Sequence, residues 1–258
     1  AERASIDRLI VRFVAARALA VIGRLIHSNF LATQSSRLAD EESFRVQGTK
    51  YYVDLKAGEM FSFEEIYHER MYDRVADFVP QQGWTVFDIG ANIGVFAIQQ
   101  ARRGAHVYAF EPNSDCYRRL SRAIQDNNLD SRVYAFNYAA GSSPDLGTLQ
   151  IPNGVTCLGS VVPRDNPAST QEPAIQITSL DHIVPTLGIA RINLLKIDTE
   201  GAEVEVLRGA DRTLGMVERV ILEYHSTDLL RQASELLQSH GFSHVLQVDS
   251  GPGVERGM

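Results

Sequence analysis

Three turns in this chain bring carboxylates to the end of a short apolar run. The first is Val86-Phe-Asp-Ile-Gly-Ala-Asn-Ile-Gly94, in which Asp88 precedes a turn containing Gly90, Asn92 and Gly94. Gly90 allows a tight turn and close approach to the backbone, and Gly94 allows close helix–strand packing. The second is Phe110-Glu-Pro-Asn113, which places Glu111 21 residues after Gly90, followed by Pro112 and Asn113. A carboxylate there can accept both hydroxyls of a ribose. The third is Leu194-Leu-Lys-Ile-Asp-Thr-Glu-Gly-Ala-Glu203, a buried strand that runs into Asp198, Glu200 and Glu203. Three acids at a strand–helix junction are costly unless they bind something or cap the helix. Glu203 reads as a structural residue of the helix's first turn, and Asp198 as a residue facing the crevice.

The glycine spacing is G-x-x-x-G, not the G-x-G-x-x-G that cradles a diphosphate. An acid in the first turn repels a pyrophosphate and suits a nucleoside carrying positive charge. S-adenosylmethionine, with a sulfonium and an ammonium and no phosphate, fits both features. Methyl transfer from it is an in-line displacement at carbon. It gains much of its rate from alignment and, for an alcohol acceptor, from a general base. His225, ending the run Val220-Ile-Leu-Glu-Tyr-His225, is the base candidate, with Asp198 and Glu223 as alternatives. His68, in the segment 67–72 read as a lid, is a second imidazole. The site is expected to be metal-free. The alternative is Mg²⁺ held by Asp198, Glu200 and Glu223 to acidify the acceptor hydroxyl.

These turns require a sheet that delivers several strand ends to one edge. Strands are expected at 84–88, 106–110, 132–137, 175–178, 192–197, 217–223 and 243–248, with helices after 90, at 114–127, from 202 and at 227–239. Strands alternating with helices predict an α/β fold, a doubly wound, mainly parallel sheet with right-handed crossovers. Upstream, Thr49–Leu55 reads as a strand paired in a hairpin near Val46, and 63–79 as a helix pair. Residues 28–50 read as a linker, and 141–173 as an irregular excursion holding one short strand near 147–151. The division predicted is an N-terminal helical extension with hairpin and lid over 1–70 and a cofactor-binding domain over 71–258. The acceptor pocket would draw on the excursion, with the run 152–160 as a candidate gate.

Composition narrows the partners. The chain has 258 residues, net charge −7 and a pI near 5.5, which argues against a nucleic-acid binder. The basic group Arg118, Arg119 and Arg122 reads as a solvated helix face. Cys116 and Cys157 form no CxxC pair, so a disulfide scaffold or zinc site is not expected and a reducing, cytoplasmic setting fits. Residues 3–27 read as a basic amphipathic helix. Docking on the protein's own body or on a second copy is the leading reading, with weak peripheral membrane contact as the alternative.

The segments VFDIGANIG, AFEPN, SLDHIV, LLKIDTEGAEVEVLRGA and VILEYH together resemble the FkbM-type methyltransferases over about residues 70–248. LKIDTEGAE is the most specific of them. The resemblance implies a class I methyltransferase fold with strand order 3-2-1-4-5-7-6. It implies S-adenosylmethionine as cofactor and O-methylation of a small acceptor, a hydroxyl of a sugar, glycolipid or polyketide-type metabolite. It puts Asp88, Gly90 and Asn92 near the methionine part, Glu111 on the ribose and the residues around Ala139 near the adenine, and Gly94, Pro112 and Asn113 are expected among the cofactor-binding residues. The Gly-rich stretch after Val248 departs from the pattern, because it is a poor seventh strand. Two other functions share parts of this signature. A nicotinamide oxidoreductase would need to bind a dinucleotide, and a catalytically inactive partner-binding module would bind cofactor without methylating any acceptor.

Overall fold

The computed structural model describes residues 41–151, 156, 159–163 and 174–243. The helix expected at 3–27, most of the candidate gate at 152–160, the strand expected at 243–248 and the tail beyond it lie outside the described residues.

Five parallel strands form the central sheet: β3 (Thr85–Ile89), β4 (His106–Phe110), β5 (Val133–Phe136), β10 (Leu194–Ile197) and β11 (Val220–Leu222). Their order is β11-β10-β3-β4-β5, which matches positions 5-4-1-2-3 of the expected topology. Strands buried on both faces need apolar residues throughout. Val86, Val107 and Leu194 pack on one face, and Phe87, Ile89, Phe110, Leu195 and Ile197 on the other. Helices α1 (Val95–Arg102) and α2 (Ser114–Asp126) cover the first face. Helices α3 (Glu203–Arg208) and α4 (Thr227–Ser239), with the turn Leu180–Leu187, cover the second. Asn113 caps α2 by accepting from the Asp115 and Cys116 amides at 2.9 and 3.3 Å, a contribution of about 1 kcal/mol.

Several expectations need correcting. Residues 42–50 are not linker. Strands β1 (Glu42–Val46) and β2 (Thr49–Val53) form a hairpin around Gln47 and Gly48, both at positive φ, the signature of a type I′ turn. Its Phe44, Val46, Tyr51 and Val53 share one core with α1 and α2. The helix pair at 63–79 is a chain of short turns, a π turn at Glu64–His68 and 3₁₀ turns at Met71–Asp73 and Ala76–Phe78. Arg70 adopts a left-handed conformation at φ 52°, which stops any continuous helix. The aromatic contacts of Phe63 and Tyr67 with Tyr51 replace helical periodicity as the organising force.

The excursion is also ordered in part. Strands β6 (Ala139–Ala140), β7 (Asp145–Gln150), β8 (Ser160–Pro163) and β9 (Ile175–Thr178) make a second sheet of order β6-β9-β7-β8, antiparallel except for β6 with β9. The arginines of α2 do not share one solvated face. Arg118 and Arg122 reach Glu41, whereas Arg119 is buried against a fully buried Glu59. No helix among the described residues is long and apolar enough to cross a membrane.

Candidate active site

After β3 the chain winds through β4 and β5 on one side, then returns to β10 and β11 on the other. The order therefore reverses between β3 and β10, and the crevice beyond their carboxyl ends is where open α/β sheets bind ligands. Gly90 follows β3 and Asp198 follows β10. Gly90 has φ +80°, and a Cβ placed on it would stand 1.7 Å from the Asp198 carbonyl oxygen. Only glycine lets the two loops meet. Gly94, at φ +83°, abuts the end of the Leu120 side chain on α2, so its close packing is helix against helix.

Asp88 and Lys196 are register partners on β3 and β10 and face the same side of the sheet. Asp88 is fully buried, and the Lys196 ammonium lies 3.0 Å from its carboxylate and 3.4 Å from that of Asp198. It also donates to the Gly90 carbonyl at 3.1 Å. Burial alone would lower Lys196, but the Asp88 and Asp198 carboxylates outweigh it and hold the amine above its ordinary range. Asp88 thus acts on the crevice through Lys196. Lys196 was not among the expected site residues. Its signal was present, because a single opposite charge inside each of two buried strands calls for pairing.

Glu111 sits at the end of β4, 6% exposed, and accepts from the Asn92 amide at 2.7 Å and the Asn113 amide at 2.8 Å. Asn92 adopts φ 51°, and its side-chain Oδ1 is buried without a hydrogen-bond partner. The Asn137 side chain donates to the Glu111 and Pro112 carbonyls at 2.8 and 3.1 Å, tying the ends of β4 and β5 together. Ala139 is buried on β6, paired with Ile177 of the second sheet.

Burial pushes the Glu111 carboxyl up to about 7, against the pull of the two amides. Because this is above its ordinary 4.5, the folded state holds a proton that the unfolded chain releases. The resulting stabilisation is full below about pH 4.5 and is lost as the pH rises through about 7. In the ligand-free protein, wild type should lose about 2–3 kcal/mol relative to Glu111→Gln between pH 5 and pH 8. Urea unfolding at the two pH values reads this difference, and parallel pH dependences would refute it.

His225 lies beyond β11 between two acids. Its Nδ1 is 2.8 Å from Glu203 and its Nε2 3.2 Å from Glu200. Burial works to lower the imidazole, but Glu200 and Glu203 outweigh it and raise it to about 10. Glu203, 1% exposed at the start of α3, also accepts from the Gly201 amide at 2.9 Å. Burial opposes its ionisation, yet His225 and that amide keep it below the usual carboxylate range. The acids expected to group as Asp198, Glu200 and Glu223 group instead as Asp198 and Glu200 with His225, all with ligating atoms within 4.8 Å of one another. The Glu223 carboxylate accepts from the Tyr72 hydroxyl at 3.4 Å. Tyr72 packs edge-on against Phe96 at 5.1 Å and brings the segment after β2 to the crevice. His68 is 74% exposed and paired with Glu64, one turn before it.

A family model described as the Methyltransferase FkbM domain matches residues 88–246. Methyltransferase sdnD of Sordaria araneosa is 30% identical, covering 74% of this chain and 85% of its own. The 31-O-demethyl-FK506 methyltransferase FkbM of Streptomyces tacrolimicus is 30% identical, covering 81% of this chain and 91% of its own. Hexuronic acid methyltransferase AglP of Haloferax volcanii is 26% identical, with coverages of 76% and 77%.

Proposed function

Because the chain belongs to the FkbM methyltransferase family, we propose that it transfers a methyl group from S-adenosylmethionine to a hydroxyl oxygen of a small acceptor, a sugar, glycolipid or secondary metabolite. The observation that carries this reading is the crevice at the sheet's reversal point. There the Gly90 and Asp198 loops touch, and a buried Glu111 stands at the end of the neighbouring strand.

The residues suit the cofactor. Asn92 offers a buried oxygen without a protein partner, which an ammonium can use. Glu111 accepts from the ribose hydroxyls, and Ala139 packs near the adenine. Gly90 and Gly94 shape the turn against the methionine part, while Asp88 holds that turn through Lys196. Asn113 and Pro112 serve by fixing Glu111 and the start of α2. When bound, S-adenosylmethionine supplies an electrophilic methyl carbon on a sulfonium.

Transfer of that methyl group would form a C–O bond to the acceptor and leave the C–S electron pair on sulfur, so this chain's residues would have to align the acceptor oxygen and receive its proton. The hydroxyl proton must leave. His225, raised to about 10, already carries its proton at neutral pH and is not the acceptor in that state. The carboxylates of Asp198 and Glu223, at the ends of neighbouring strands, take that role. The names of two relatives support an oxygen on a small molecule, one being a demethyl-FK506 methyltransferase and the other a hexuronic acid methyltransferase.

Thermal unfolding in the presence of S-adenosylmethionine, S-adenosylhomocysteine and NAD tests the cofactor. A ligand at ~100 times its Kd adds about 2.7 kcal/mol, a rise of roughly 5–10 °C for a domain of this size. Both sulfur compounds should give such a rise, and NAD none. No rise with either sulfur compound would remove the basis of this reading. Labelled methyl transfer to a panel of uronic acids, glycolipids and polyketide alcohols then tests the acceptor class.

A further inference from the structure

We propose that Tyr72 is a positioning residue for Glu223, holding that carboxylate as the one that receives the acceptor's proton. The inference rests on the methyl-transfer reading and deepens it, because Asp198 and Glu223 stand at the ends of neighbouring strands and their surroundings tell them apart. Asp198 faces the Lys196 ammonium at 3.4 Å. A carboxylate beside a cation is a weaker proton acceptor. Lys196 in turn answers to Asp88 and Asp198 before Glu223. Glu223 follows β11, where its amide donates to the Ile197 carbonyl at 2.9 Å, and its carboxylate accepts from the neutral Tyr72 hydroxyl at 3.4 Å. Such contacts are often long in ligand-free sites and tighten when the reactants bind.

The phenol is built into place from the helix side. Arg70, at φ 52°, turns the chain into the Met71–Asp73 turn. Asp73, its side chain 5% exposed, accepts from both terminal nitrogens of Arg103 at 2.7 and 2.6 Å, a forked ion pair that clamps the turn to the end of α1. Phe96 of the same helix meets the Tyr72 ring edge-on, and the Lys196 ammonium lies 5.9 Å from the ring centroid. A hydroxyl fixed by α1 thus reaches a carboxylate fixed by the central sheet. Tyr72 is a donor there and not a base. Burial, followed by the Asp198 and Glu223 carboxylates, pushes its phenol well above the ordinary range, and Glu65 and Asp88 act in the same direction.

The proton leaving the acceptor oxygen passes to a Glu223 carboxylate oxygen, which becomes a neutral carboxyl, while Tyr72 keeps its own proton. Donation from Tyr72 holds the carboxylate in one orientation and favours its charged form, so Glu223 stays ready to accept at lower pH.

The test is a double-mutant cycle on the full chain with two readouts. With isotope-labelled glutamate, the side-chain carboxyl resonance missing from the spectrum of Glu223→Gln belongs to Glu223, and Tyr72→Phe should move its titration to higher pH. Tyr134→Phe, which removes an exposed hydroxyl on β5, is the control and should leave that titration unchanged. Methyl transfer is then followed with labelled S-adenosylmethionine and the fastest alcohol of the acceptor panel. Tyr72→Phe should lower kcat about tenfold, change either KM less than about twofold and move the acid limb of the pH profile upward. Glu223→Gln should lower kcat about a hundredfold or more, and adding Tyr72→Phe to it should cost nothing further, because the hydroxyl acts through that carboxylate. Circular dichroism checks each fold. Asp73→Asn, which loosens the turn but keeps the hydroxyl, is the second variant and should move the Glu223 titration the same way by less. An unmoved titration in the folded variants overturns the proposal, as does a further loss of about tenfold in the double variant, which would make Tyr72 independent of Glu223. Wild type without an S-adenosylmethionine thermal shift or turnover sinks the methyl-transfer reading, whereas an unmoved titration in an enzyme that turns over sinks only the role of Tyr72.

Discussion

Gly90→Ala is expected to cost about 4 kcal/mol or more and to abolish cofactor binding. The added Cβ would lie 1.7 Å from the Asp198 carbonyl oxygen and 2.8 Å from its carbon. Both are backbone atoms of a central strand's end, so neither can rotate aside. The φ of +80° adds roughly 1–2 kcal/mol of strain for any residue with a Cβ. Relief requires the β3 and β10 loops to separate, which opens the crevice at its narrowest point. Gly94→Ala makes an informative contrast. Its Cβ would meet Leu120 Cδ1 at 2.1 Å, the far end of a side chain that can change rotamer, and its φ is similar. Urea unfolding should therefore show Gly90→Ala well below Gly94→Ala. Equal stabilities would mean that the loop contact does not carry the weight assigned to it.

Lys196→Met is expected to destabilise the protein by about 3–5 kcal/mol, because it strands a fully buried Asp88 and leaves Asp198 without its cation. The Gly90 carbonyl loses a donor in the same step. Removing both charges should be milder. In Asp88→Asn/Lys196→Met the amide has no buried charge to satisfy, so the double variant should recover much of the loss. A double-mutant cycle in urea measures the coupling. A single variant that loses less than about 1 kcal/mol, or a double variant no better than the single, would show that the pair does not hold these two strands. Cofactor affinity should fall with Lys196→Met even where the protein remains folded, because the ammonium braces the Gly90 turn, which is proposed above to receive the methionine part.

The same two residues show how far the sequence could be read. Runs such as 106–110 and 175–178, and the helix at 227–239, fall where apolar spacing and capping residues put them. These signals act within a few residues, so a single chain carries them in full. The alternation of strands and helices implied a mainly parallel sheet with right-handed crossovers, and its strand order was implied by the resemblance to the FkbM-type methyltransferases. The second sheet was not legible in the same way. The Ala139 and Ile177 pairing and the β7–β8 ladder join segments with weak alternation, and their stability comes from partners far along the chain. The turns between Glu64 and Phe78 were misread as helices for a related reason. Their aromatic residues Tyr67 and Tyr72 also pack on Tyr51 and Phe96, which lie outside the segment.

Chemistry divided along the same line. Residue type and position marked Asp88, Glu111, Asp198 and His225, since a carboxylate or imidazole at a strand's end is unusual enough to be noticed in one dimension. Their states were not marked. His225 appeared as a neutral base because nothing local sets its charge. Folding places Glu203 and Glu200 on its two nitrogens and keeps it protonated. Glu111 is raised by burial, and Asp88 answers to a lysine more than a hundred residues away in the chain. Strands, turns and the list of reactive groups are properties of short stretches, and the amino-acid order alone carried them. Which charge faces which, and how much water each sees, depends on distances that exist only once β3, β10 and β11 lie side by side.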